Sequence, residues 1–113
     1  NLDMSSAKAR LDDLITIAFL ASRSSKLSRR QVQGRKVTAH FAITESVGDY
    51  TAPYTLTHLP TGGAAINAST LAPLVKLARH LEKIGDWSFT EAESVSNIDM
   101  ALIRQAMKSA GLL

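Results

Sequence analysis

Tyr54-Thr55-Leu56-Thr57-His58-Leu59-Pro60-Thr61-Gly62-Gly63 is the stretch on which the fold turns. Tyr54, Thr55 and Thr57 are aromatic or β-branched and suit a pleated surface, whereas Pro60 and the Gly62-Gly63 pair cannot continue a central strand. A strand over 54–59 therefore runs into a turn. Upstream, Val37, Ala39, Phe41 and Ile43 alternate with Thr38, His40, Ala42 and Thr44, the period of a half-buried strand over 37–45. Val47 to Pro53 has turn composition, so 37–45 and 54–59 read as a long antiparallel hairpin. Residues 64–68 add a third short strand, with Ile66 as its one large apolar residue.

Helices read outward from this hairpin. Ala7, Leu11, Leu14, Ile15 and Ala18 recur at helical spacing, which predicts an N-terminal helix over about 5–23. Ile17, Phe19 and Leu20 fall off that face and need a second surface. That surface is either the C-terminal helices or the same helix of another chain, which points to an interface and a homodimer. Leu71, Leu74, Val75, Ala78 and Leu81 make the apolar stripe of a helix over about 70–84, capped by Ser69 or Thr70 and ended by Gly85. Thr90 and Glu93 have the spacing of a capping box for a helix over 90–96, and Ile98, Ala101, Leu102 and Ala106 mark another over 98–110. Trp87 is expected to wedge between the first two of these C-terminal helices. The expectation is a single α+β domain over 1–113, a small antiparallel sheet covered on one face by helices.

Composition narrows the function classes. The chain has 113 residues, 45% of them apolar and 20% charged, which suits one folded domain. Cys is absent, so disulfides, thiolate metal sites and a Cys nucleophile are excluded, and a reducing cytoplasm fits. The longest apolar run, Leu14 to Ala21, is too short to span a bilayer, and the Asp12-Asp13 pair before it does not suit a secretory leader.

The net charge of +3 is unevenly spread. Arg23, Lys26, Arg29, Arg30, Arg35 and Lys36 lie within fourteen residues that hold no acid, and the remaining seven basic residues face ten acids. The segment 23–36 reads as a basic, mobile connection, and Lys and Arg there would neutralise phosphates. His40, on the polar strand face, and Tyr50, at the hairpin tip, extend the expected nucleic-acid surface. Charge runs are usually solvated linkers, and only six aromatic residues exist to stack on bases.

The other constellations carry less. His40, His58 and His80 lack any close ligand spacing, so no metal or cofactor is expected. Ser and Thr are abundant without a Gly-x-Ser-x-Gly elbow, and no Gly-Lys-Ser/Thr follows the Pro60–Gly63 turn. His58 reads as a partly buried residue bonded to backbone. A helix-turn-helix fails because the candidate recognition helix opens apolar and acidic, Ile98-Asp99-Met100-Ala101. The sequence thus predicts a non-catalytic binding or regulatory protein, of bacterial or mobile-element style, that contacts nucleic acid through its basic segment. The alternative is a protein–protein adaptor or inhibitor that docks through an apolar helix or a sheet edge.

Overall fold

The computed structural model describes residues 11–20, 27–47 and 52–113. Five strands, β1 (Asp13–Leu20), β2 (Leu27–Lys36), β3 (Phe41–Glu45), β4 (Tyr54–His58) and β5 (Ala64–Ala68), form one antiparallel sheet in chain order. After them come α1 (Leu71–Ile84), a 3₁₀ turn over Ala92–Asn97, and α2 (Met100–Ser109). The fold is α+β.

The β3–β4 ladder sets the faces of the sheet. Phe41 stands opposite His58, Ile43 opposite Leu56 and Glu45 opposite Tyr54, so these six share one face by strand parity. Phe41, Ile43 and Leu56 on this face pack with Leu71, Leu74, Ala78 and Leu81 of α1 and with Ala106 of α2 in one apolar core. α2 needs small residues where it meets this core, and Ala106 and Ala110 supply them.

The opposite face is closed as well. Ala42, Thr44 and Thr57 are all at most 1% exposed, although the helices lie on the other side. The cover comes from β1 and β2, whose Ile15, Ile17 and Val32 are buried on that second face. The sheet curls far enough that Ala18 N–H donates to the Gly62 carbonyl at 2.8 Å, bringing the first strand against the β4–β5 turn. Two glycines permit the closure. A Cβ at Gly34 would lie 2.7 Å from both Ile15 and the Ile43 carbonyl, and Gly62 has φ 73° with the β1 backbone beside it.

Several expectations change. Residues 13–20 form a strand and not part of an N-terminal helix, while 5–10 and 21–23 lie outside the described residues. Ile15, Thr16 and Ile17 are three β-branched residues in a row, which costs side-chain freedom in a helix and suits a strand. Burial alternates accordingly, with Leu14 and Thr16 exposed and Ile15 and Ile17 buried. The helical sides dissolve: Ile15 and Ile17 share the buried face of the strand, and Leu14 and Ala18 lie on the other. Phe19 and Leu20 are its last residues, paired with Ser28 and Leu27. A homodimer built on an apolar helix therefore loses its basis.

The basic segment 23–36 is likewise mostly strand, since 27–36 is β2. β3 begins at Phe41, because 37–40 turn the chain: the Val37 and Thr38 amides both donate to the Phe41 carbonyl. In place of the helix over 90–96 there is a 3₁₀ turn without a side-chain cap, so the Thr90–Glu93 box does not form. α2 starts after Asp99, whose carboxylate accepts from Ala101 N–H at 2.9 Å. α1 lies where it is expected, but Thr70 makes no side-chain cap bond, and Gly85 is extended rather than left-handed. Gly85 is needed for closeness, since a Cβ there would run into the Ile98 side chain.

Candidate functional site

β5 is an edge strand of the described sheet, and beside it lies an apolar depression of about 330 Å³. Ala64, Ala65 and Ile66 of β5 form one side. Leu77 and Leu81 of α1 form the back. The segment 86–97 forms an end wall through Trp87, Phe89 and Val95, and α2 overhangs the space with Met100, Ile103 and Met107. Those last three recur at i, i+3 and i+7, one helical face, while Ala106 faces the core. Met100 is 62% exposed and Val95 39%, so the lips of the groove are apolar and open to water. Volumes of this size hold small ligands or a few side chains.

His58 anchors the inner end. It stacks on Phe89 with ring centroids 4.6 Å apart, and Phe41 and Trp87 flank it at 5.5 and 5.8 Å. Its Nε2 lies 2.6 Å from the Trp87 carbonyl, which can only accept, so Nε2 carries a proton. Its Nδ1 lies 2.8 Å from the Thr61 hydroxyl, and that hydroxyl accepts from Gly63 N–H at 3.1 Å. A neutral ring satisfies this chain: Gly63 donates to Thr61, Thr61 to Nδ1, and Nε2 to Trp87. Burial pushes the His58 pKa down; the Trp87 carbonyl opposes this without overcoming it. Trp87 is fixed in turn by its indole N–H, which donates to the Leu81 carbonyl at 2.6 Å. Trp87 is buried, as expected from its place at a helix junction.

A second polar pair pins the β2–β3 turn to α1. Glu82 accepts from the His40 amide at 2.7 Å, and its other oxygen lies 2.8 Å from His40 Nδ1. Burial would raise this carboxyl, but the hydrogen bonds from His40 and the nearby Thr38 hydroxyl together outweigh that and hold the group below its ordinary value. His40 thus sits in a turn engaged with a carboxylate, and not on an open strand face.

The other basic candidates separate. Arg29 and Arg30 are exposed and adjacent on β2, so by strand parity they project to opposite faces, as do Arg35 and Lys36. Arg29 reaches the Thr61 carbonyl at 3.5 Å, and Lys36 is exposed. Arg23, Lys26 and Tyr50 lie outside the described residues. No strip of cations on one face results from the described ones. Behind the sheet, Thr44 and Thr57 share a hydrogen bond at 2.9 Å, and Ser46 and Thr55 one at 2.8 Å, which satisfies hydroxyls that the sequence pattern assigns to solvent.

The groove itself escapes a reading of the sequence, because its lining comes from five separate segments. The signal that was present is the i, i+3, i+7 spacing of Met100, Ile103 and Met107, a second apolar stripe beside Ala106. No group of three or more His, Asp or Glu side chains converges among the described residues. No described helix is long and apolar enough to cross a membrane. No protein family, characterised protein or solved structure matches the chain.

The state of His58 has a measurable consequence. The unfolded chain takes up a proton near the ordinary histidine pKa of about 6.5, whereas the folded ring does so only at lower pH. Its contribution to stability is therefore complete above about pH 6.5 and declines as pH falls toward the lowered folded value. Urea unfolding of the wild type and of His58→Gln should show a stability gap that narrows on going from pH 7.5 to 5. A gap independent of pH would mean that His58 is not held neutral.

Proposed function

We propose that the protein is a non-catalytic binding protein and that its working surface is the groove beside β5, which takes an apolar group of its ligand. The observation that carries this reading is an open apolar depression of about 330 Å³ whose lips, Val95 and Met100, stay exposed. A soluble domain seldom leaves such side chains together without a use for them. The chemistry nearby supports binding over catalysis. Both ring nitrogens of His58 are occupied within the protein, and a base for nucleophilic catalysis would need one free and a carboxylate behind the other. Glu82, the one carboxylate paired with a histidine among the described residues, also clamps a backbone amide of the turn. The lack of Cys suits a cytoplasmic setting.

A second reading, nucleic-acid binding through β2, has one specific observation in its favour. Arg29, Arg30 and Lys36 are exposed on a strand that contains no acid. Their division between two faces and the absence of a fully exposed aromatic side chain among the described residues place this reading second.

Two titrations test these readings. The neutral dye N-phenyl-1-naphthylamine should bind saturably with a rise in its emission, and Val95→Asp with Met100→Asp, both at exposed positions, should weaken it at least tenfold without unfolding the domain. Equal binding by the variant, or none by the wild type, contradicts the groove as the working surface. For the second reading, reversal of charge at Arg29, Arg30 and Lys36 should lower affinity for a labelled single-stranded oligonucleotide at low salt and flatten its salt dependence. Unchanged affinity removes that reading.

A further inference from the structure

We infer that the groove's ligand is an extended peptide segment of a partner protein, apolar at alternate positions and basic between them, which adds to the sheet as a sixth strand along β5. The inference rests on the groove being the working surface and goes further by naming what fills it.

Three features converge. The first is the edge. β5 ends the order of the described strands, so alternate backbone N–H and C=O groups on its outer side face away from β4. Such an edge is normally guarded by charge, Lys, Pro or a covering element. Here the whole stretch from Leu59 to Val75 carries no charged side chain, and β5 itself reads Ala-Ala-Ile-Asn-Ala. Ala64 and Ala65 are exposed and small, which lets another backbone approach. Between Leu56 and Thr57 the β4–β5 register shifts, which makes Ala65 an extra residue and bends the strand at the groove.

The second feature is what lies above that edge. A strand added beside β5 would continue the sheet, and its alternate side chains would point to the helix face, into the space under Met100, Ile103 and Met107. Strand addition of this kind draws affinity from main-chain bonds and specificity from pockets for every second side chain. The unbranched Met side chains suit several apolar residues in turn.

The third feature is charge, which selects the chemistry of the remaining positions. The groove wall and the start of α2 carry Asp86, Glu91, Glu93 and Asp99, all exposed, and the cations of α2, Arg104 and Lys108, come only in its later turns. These are four of the ten acids in a chain whose net charge is +3. An acidic rim favours a cationic segment, whereas a second copy pairing edge to edge would set the same acids against each other.

The test uses capped octapeptides alternating Leu and Lys, read through Trp87, the single tryptophan in the chain and a wall of the groove. The Leu/Lys peptide should change the Trp emission saturably, and the Leu/Glu peptide should bind at least tenfold more weakly. In an added strand, all Leu amides face one way and all Lys amides the other. N-methylation of one of these two sets should therefore abolish binding while methylation of the other spares it. Glu91→Lys with Glu93→Lys, at exposed positions, should reverse the preference between the two peptides. Equal effects of the two methylated sets, or no charge preference, would overturn the inference. So would peptides that fail to bind while the neutral dye still does, a result that leaves the groove reading intact. Sedimentation showing a dimer abolished by Ala65→Asp would instead assign the edge to a second copy.

Discussion

Burial of the β3–β4 hairpin on both faces is the constraint from which the rest of the molecule follows. A five-stranded antiparallel sheet in a chain of this size normally leaves one face to water. Here Phe41, Ile43 and Leu56 go under α1 and α2, while Ala42, Thr44 and Thr57 are covered by the curled β1–β2 hairpin. The hydroxyls on the second face are tolerable because they pair with each other across the ladder. Covering that face uses β1 and β2, and the helices must then serve the other face alone. α1 does so with a full stripe, whereas α2 buries only Ala106, and Ile103 and Met107 pack against the core half-buried.

This division of cover explains where the groove lies. β1 closes against the β4–β5 turn through Ala18 and Gly62, so one side of the sheet is brought round toward the other. β5 remains at the end of the strand order, and α2 is held above it by the connection from 86 to 99. The bonds from His58 to the Trp87 carbonyl and from the Trp87 indole to the Leu81 carbonyl tie that connection to the sheet and to α1 together. A buried neutral histidine suits this role because it offers one donor and one acceptor in fixed directions. Its aromatic neighbours fill the inner end and leave the outer part open.

How much of this was legible in the sequence depends on how local the cause is. The central hairpin, β5 and α1 rest on short-range patterns, alternation with turn residues or a helical stripe with Pro73 near its start, and all lie close to where those patterns put them. Trp87 and His58 were also readable, as a junction aromatic and a backbone-bonded histidine. Asp13–Leu20 was not, because a nearly continuous apolar run fits a buried strand and a buried helix equally well by periodicity. Its three consecutive β-branched residues were the better guide. β2 was hidden by its polar composition: Arg29, Arg30, Gln31 and Gln33 resemble a linker, and Val32 is its one buried apolar side chain among those described. The groove and the closure of the second face depend on residues far apart in the chain, and no local pattern encodes them.

The central claim is that the outer edge of β5 is open beside an apolar groove while the middle of the sheet is sealed on both sides. Residue-resolved amide hydrogen exchange on the free protein tests it most directly. The β3 and β4 amides should be the most protected of the sheet, and within β5 protection should alternate, with the amides that face away from β4 exchanging orders of magnitude faster than those bonded to it. Uniform protection along β5, equal to that of β4, would mean that another strand already occupies the edge and would contradict the account.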